Sequence, residues 1–264
     1  MIRFIASDLD GTLLQNGAQS LPPEVIPFIE TLATQHGILF AAASGRQYPN
    51  LKRLFGSASK HMAFICENGS LVFYQDKLLV SHPMERDAAL AISHDILSLP
   101  GCELQISGEK TCYLLPKTEA FLDRMVNHVK NDIKVIATPE EHPEPYYKVS
   151  VFEASGIAAG HGPELLKRHQ DKSQCTISGH AWLDFVAPDV NKGRALRELI
   201  SELGISPSEC AAFGDNYNDL EMLNAVKYGY VMDNAIPEIK SRYNYHCSDV
   251  VTAIKELLQL SSSH

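Results

Sequence analysis

The stretch Ile2-Arg3-Phe4-Ile5-Ala6-Ser7-Asp8-Leu9-Asp10-Gly11-Thr12 decides how the rest of the chain is read. A short apolar run, Ile2 to Ser7, stops abruptly at Asp-x-Asp-Gly. This pattern predicts a buried strand of a parallel sheet whose C-terminal end presents polar groups. Beyond it, Pro22 and Pro23 precede a helical face of Val25, Ile26, Ile29 and Leu32, and Gly37 caps that helix. Ile38 to Ala43 reads as a second buried strand, ending in Ser44-Gly45-Arg46, with a helix through Leu51 and Leu54 behind it. Ala63 to Cys66 gives a third strand, and Asn68-Gly69 is a turn signal before Leu71 to Tyr74. Strand alternating with helix predicts an α/β fold built on a parallel sheet.

From about His82 the pattern changes. The spacing predicts helices over Asp87 to Leu97, Glu119 to Val129 and Gly162 to Gln170. Short strands are predicted over Glu103 to Ile106, Thr111 to Leu115, Lys134 to Ala137, Tyr147 to Phe152, Gln174 to Ile177 and Trp182 to Phe185. This is an α+β module, with helices expected on one face of a small antiparallel sheet. After Pro188 the first alphabet returns: a helix from Lys192 to Leu203, a strand from Cys210 to Phe213 ending in Gly214-Asp215, a helix from Asp219 to Leu223, a strand from Tyr228 to Val231 and a helix from Asp249 to Leu260. The expected organisation is a discontinuous first domain, 1–82 and 185–264, interrupted by an inserted domain, 83–184. The tail Ser261 to Ser263 is expected to fray.

Of the 264 residues, 23 are Lys or Arg and 32 are Asp or Glu, so the formal charge is −9. That charge argues against nucleic acid as a partner. The longest apolar run near the front is Ile38 to Ala43, far short of the roughly 20 residues that cross a bilayer, so no membrane partner is expected. Two carboxylates by position 10 break any signal-peptide core, which predicts a cytoplasmic protein. The six cysteines form no C-x-x-C pair and the eleven histidines no H-x-x-x-H, so reduced, mostly buried thiols are expected and no metal motif is read from them.

Four polar clusters follow predicted parallel strands or open a helix beside one, at the sheet edge where open α/β folds bind ligands. Asp8-Leu9-Asp10-Gly11-Thr12 offers two acids that suit a hard divalent cation, and a glycine that lets main chain approach a ligand. Ser44-Gly45-Arg46 offers a hydroxyl and N–H groups at a helix start, a phosphate cradle. Asn191-Lys192-Gly193 places a lysine at a helix N-terminus, against the macrodipole, which asks for an anionic partner. Gly214-Asp215-Asn216-Tyr217-Asn218-Asp219 completes a set of oxygen donors. Each cluster alone is also served by solvated surface groups or a plain helix cap; four at successive strand ends are not.

With Glu67-Asn68-Gly69 and the extension Leu13-Leu14, these motifs resemble the haloacid dehalogenase-like hydrolases, and within them the Cof-type phosphatases of subfamily IIB. The resemblance spans essentially the whole chain. It implies a Rossmann-like three-layer core with a central parallel sheet and an inserted α+β cap. It also implies that Asp8 attacks the phosphorus of a phosphomonoester and becomes an aspartyl-phosphate, with Asp10 as general acid and then base. Mg²⁺ would be held by the Asp8 carboxylate, the Asp10 main-chain carbonyl and Asp215. Leu9, Ser44, Gly45, Lys192 and Asn218 would hold the phosphoryl oxygens, with Asp219, Arg46 and Thr12 behind them. The cap would exclude water and choose the leaving group, with Tyr113, His142, Tyr146, Tyr147, Lys148, His180 and Trp182 as candidates, although Trp182 is better read as core. The partner implied is a small phosphorylated metabolite, sugar phosphates first, bound by a monomer or weak homo-oligomer. A phosphotransferase or mutase of the phosphomannomutase type, and a non-catalytic phosphometabolite sensor, are the other readings.

Overall fold

The computed structural model describes residues 1–262, which divide into two compact units. The first comprises 1–44, 51–80 and the chain from Asn191 onward; the second comprises 45–50 and 81–190. The expected return at residue 185 falls inside a strand, Trp182–Val186, that is laddered along its length to its neighbour in the second unit's sheet. The second unit therefore runs to Val190.

The first unit is built on eight strands: β1 (Phe4–Asp8), β2 (Leu39–Ala43), β3 (Met62–Cys66), β4 (Leu71–Tyr74), β5 (Lys77–Ser81), β12 (Cys210–Gly214), β13 (Tyr228–Met232) and β14 (Tyr245–Cys247). Their order across the sheet is β14-β13-β12-β1-β2-β3-β4-β5. From β14 to β3 the neighbours run parallel, and β4 turns back antiparallel on β3. Phe4, Ala6, Ala41, Ala43, Ala63 and Ile65 share one buried cluster with Ala195, Leu196 and Leu199 of α6 (Lys192–Glu202) and Met222 of α7 (Leu220–Asn224). The alternate residues Ile5, Phe40, Ala42 and Phe64 are buried as well. Because successive strand side chains point to opposite faces, they serve the face covered by α1 (Val25–His36), and Phe55 meets Phe64 edge-on with ring centroids 6.1 Å apart. Helices on both faces of a mainly parallel sheet make the three-layer α/β core. Two edge strands, β5 and β14, appear where no strand was predicted.

The sheet register positions the motifs. Asp8 is level with Ala43 on β2, Ser7 with Phe213 on β12, and Gly214 with Val231 on β13. The chain therefore leaves β1 at Asp8, β2 at Ala43 and β12 at Gly214 along one edge.

The second unit has six strands: β6 (Cys102–Ser107), β7 (Cys112–Leu115), β8 (Ile133–Val135), β9 (Lys148–Glu153), β10 (Gln174–Ser178) and β11 (Trp182–Val186), ordered β10-β11-β9-β6-β7-β8. All pairs are antiparallel except β7 with β8. Leu104, Ile106, Tyr113, Val149, Val151 and Leu183 pack with Ala89, Ile92 and Ile96 of α3 (Arg86–Ser98) and Leu165 of α5 (Gly162–His169). The helices do not all share that face. Phe121 of α4 (Glu119–Asp123) clusters with Cys112, Leu114 and Phe152, which alternate with the former set. The half-buried Trp182 joins this smaller cluster, 4.9 Å from the Phe152 ring, rather than filling the main core. The single helix expected to Val129 continues from α4 as a π-helical segment, Arg124–Val129. Among the described residues no helix is long and apolar enough to cross a membrane. The last helix, α9 (Val250–Ser262), runs through Ser261 and Ser262, and Ser263 lies outside the described residues.

Candidate active site

Leaving β1, the chain folds into a tight turn in which the N–H groups of Thr12 and Leu14 both donate to the carbonyl of Leu9. Gly11 has φ +101° there, and a Cβ would overlap the Asp215 carboxylate, so only glycine lets this turn pass beneath that acid. The Asn234 amide, from the loop after β13, donates to the Gly11 carbonyl at 2.9 Å. Sequence reading passed over Asn234; an Asp-Asn pair at the end of another parallel strand was the available signal.

The turn presents Asp8, which is buried, to two other acids. Oxygens of Asp8, Asp215 and Asp219 lie within 4.8 Å of one another. The Lys192 ammonium, also fully buried, donates to Asp8 Oδ1 at 2.5 Å and to Asp219 Oδ1 at 2.7 Å. Its position follows from the helix start: the Asn191 side chain accepts from the Arg194 N–H and fixes Lys192 as the first residue of α6. The other Asp219 oxygen accepts the N–H groups of Asp215 and Asn216, each at 3.0 Å. Asp219 is thereby committed to holding Lys192 and the strand-end loop. Thr12 Oγ1 donates to Asp215 Oδ1 at 3.0 Å and orients that carboxylate.

With all three carboxylates ionised against one ammonium, two negative charges would stand in excess, the charge a divalent cation would neutralise. Burial, and the nearby Asp219 charge, push Asp8 up from 3.8 to about 8 despite the lysine. Burial also raises Asp215, again helped by Asp219. Burial works against the Lys192 charge, but Asp219 and Asp8 beside it outweigh that cost and raise it, so the ammonium stays charged.

Of the residues singled out from sequence, Asp8, Thr12, Lys192, Asp215 and Asp219 are brought into contact. Asp10 lies in the same turn, but its side chain is exposed and stands outside the converging carboxylates. Leu9 is buried within the turn. Ser44 follows the end of β2, 2% exposed, with its N–H on the Ile65 carbonyl and its own carbonyl accepting from Asn68. Asn218 is half-buried in the short turn that ends at Asp219. Gly45 and Arg46 group with the second unit, where the Lys148 ammonium donates to the Gly45 carbonyl at 2.6 Å.

The site is an acidic strand-end turn with a buried lysine on a parallel-sheet core, and residues 5–252 match the family model of the haloacid dehalogenase-like hydrolases. The chain belongs to that family. The 5-amino-6-(5-phospho-D-ribitylamino)uracil phosphatase YbjI of Escherichia coli is 26% identical over 234 residues, covering 89% of this chain and 86% of that one. The HMP-PP phosphatase of Serratia proteamaculans is 28% identical over 264 residues, with 91% and 87% covered. Among solved structures, SMU.1108c from Streptococcus mutans UA159 superimposes with a TM-score of 0.84 at 25% identity, over 98% of this chain and 100% of that one. The named relatives place the chain among the family's phosphatases.

Proposed function

We propose that this protein is a Mg²⁺-dependent phosphatase that hydrolyses phosphomonoesters of small metabolites, sugar phosphates first, through an aspartyl-phosphate on Asp8. The observation that carries the reading is the convergence of the Asp8 and Asp215 carboxylates beside the Lys192 ammonium at the C-terminal edge of a parallel sheet. The Escherichia coli relative's name puts the phosphate on a ribityl chain, which supports a polyol or sugar phosphate as the first class to test.

The donor set fits a hard cation: only oxygens converge, and their excess charge is that of a dication. The Asp8 carboxylate, the Asp10 main-chain carbonyl and Asp215 would hold it. Bound there, Mg²⁺ supplies charge neutralisation between an anionic nucleophile and an anionic phosphate. Asp8 attacks phosphorus, the ester oxygen leaves, and Asp10, whose side chain is exposed beside the turn, gives that oxygen its proton. Asp10 then takes a proton from the water that cleaves the acyl phosphate, releasing inorganic phosphate and restoring Asp8. Lys192, Ser44, Asn218 and the N–H groups near Leu9 hold the phosphoryl oxygens. Asp219 keeps Lys192 aimed and Thr12 keeps Asp215 aimed.

The test is phosphate release from a panel of sugar phosphates, nucleotides and cofactor phosphates, with and without Mg²⁺. Release that needs Mg²⁺ and no bisphosphate activator is expected. A strict need for a bisphosphate would favour a mutase, and no release from any member would leave the sensor reading.

A further inference from the structure

A second convergence lies wholly within the second unit. On adjacent antiparallel strands Cys102 opens β6 and Glu153 closes β9, directly opposite each other, so their side chains share a face. After Glu153 the chain makes a compact loop, closed by hydrogen bonds from Gly156 to Glu153, from Gly160 to Gly156 and from Gly162 to Ile157. The loop returns His161 to the same acid. A Cβ on Gly160 would overlap the Glu153 carboxylate, and one on Gly162 the Ile157 carbonyl, so glycines flanking His161 let the backbone seat directly on the acid. The His161 N–H donates to Glu153 Oε2 at 2.9 Å, and its ring Nδ1 lies 2.9 Å from Oε1 and 3.5 Å from Cys102 Sγ. All three donor atoms lie within 4.8 Å of one another.

We propose that Cys102, Glu153 and His161 form a binding site for a thiolate-accepting divalent cation of the zinc class, clipping the 153–161 loop to the edge of β6. In a nucleophilic relay the histidine uses one ring nitrogen toward the thiol and the other toward the acid. Here thiol and acid face the same nitrogen, the arrangement of three donors around one point. A tetrahedral ion with Zn–S about 2.3 Å and Zn–N about 2.0–2.1 Å sets sulfur and nitrogen about 3.5 Å apart, the separation observed between Sγ and Nδ1. The Nδ1–Oε1 distance has to open by a few tenths of an ångström, and the Sγ and carboxylate oxygen, already within 4.8 Å of each other, have to settle about 3.6 Å apart. Thiolate, imidazole and carboxylate together select zinc-like ions over Mg²⁺ or Ca²⁺, which take oxygen donors. Thiolate and carboxylate carry two negative charges, which the ion balances, and the thiol proton passes to solvent on binding. Cys102 and Glu153 are buried, while the His161 side chain is 29% exposed and gives the ion its way in.

Cobalt titration of the chelator-stripped full chain, in excess Mg²⁺, tests this. One equivalent is expected to produce a thiolate-to-cobalt charge-transfer band that Zn²⁺ displaces. The band should persist in Asp215→Asn, disappear in Cys102→Ser, and weaken in affinity in His161→Gln by more than the ~10–100-fold that loss of an outer-sphere partner costs. Because the buried cysteine variant could misfold, His161→Gln, altered at a part-exposed side chain, carries the test with its far-ultraviolet circular dichroism compared with wild type. A wild-type chain with no band at saturating cobalt, or a band unchanged in a folded His161→Gln, overturns the proposal.

Discussion

The strand-end cluster of the first unit and the Cys102–Glu153–His161 cluster of the second present the same charge problem with different donors. Three ionised carboxylates and one ammonium would leave an excess of two negative charges in the first. A thiolate and a carboxylate would leave the same excess in the second. Oxygen donors alone suit a hard, water-retaining cation that substrate phosphate can share; sulfur and imidazole suit a soft ion held by the protein. The scaffolds differ as well. The first cluster is gathered from the ends of parallel strands, where loops leave room for a ligand. The second is gathered from the facing ends of two adjacent antiparallel strands and a glycine-closed loop, with two of its three side chains buried. The difference teaches that charge calls for a dication, while donor type decides which dication, and a place at the ends of parallel strands lets a substrate join it.

The comparison breaks most sharply at Asp8. Asp8→Asn is expected to lower turnover of an aryl phosphate by more than about 10⁴-fold while the chain stays folded; retention of a few per cent of the rate would remove Asp8 as nucleophile. Asp10→Asn is expected to cost about 10²–10⁴-fold. That loss should be larger for alkyl than for aryl phosphates, because a poor leaving group depends more on the donated proton. Equal losses on the two substrate types would contradict the general-acid role. Replacing Lys192 with methionine removes the ammonium hydrogen-bonded to both Asp8 and Asp219. Stranding a buried charge in this way costs about 3–5 kcal/mol, read as a lower urea midpoint in metal-free protein, and added Mg²⁺ should return part of it.

How much of this was legible in the sequence depended on where the signal sat. β1, β2 and β12 are central strands buried on both faces, and their unbroken apolar runs ending in acids or serine announce both sheet and site. The edge strands β5 and β14 expose three of five and two of three residues, so neither shows the unbroken buried run of the central strands. The Glu119 to Val129 pattern gave the helix but not the change to π winding after Asp123, nor that Phe121 packs on the face opposite α3 and α5. Asp-x-Asp spacing drew attention to Asp10 as the partner of Asp8, yet the turn exposes its side chain, and Asp219 is the carboxylate that closes on Asp8 through Lys192. The Cys102 group was illegible for a related reason: its donors come from two strands and a loop, and no short spacing encodes a register between strands.

The smallest effect expected is one of pH on stability, and it separates the two clusters without any substrate. In the metal-free chain Asp8 keeps its proton up to about 8, whereas unfolding returns it to an ordinary carboxylate near 3.8. Between those values the folded state binds more protons than the unfolded one, so this group's contribution to stability falls as pH rises from about 4 to about 8. Asp8→Asn removes the titration. Its melting temperature, compared with wild type in chelator, should therefore gain on the wild-type value across that window and level off above it. Saturating Mg²⁺ should flatten the wild-type curve in the same window, because a bound dication lets Asp8 ionise in the folded state. Zn²⁺ confined to the second unit's cluster should leave the Asp8-dependent slope untouched. A difference between the two chains that does not change between pH 4 and 8 would show that Asp8 ionises freely without a metal, and the charge argument for a dication at the strand ends would fail.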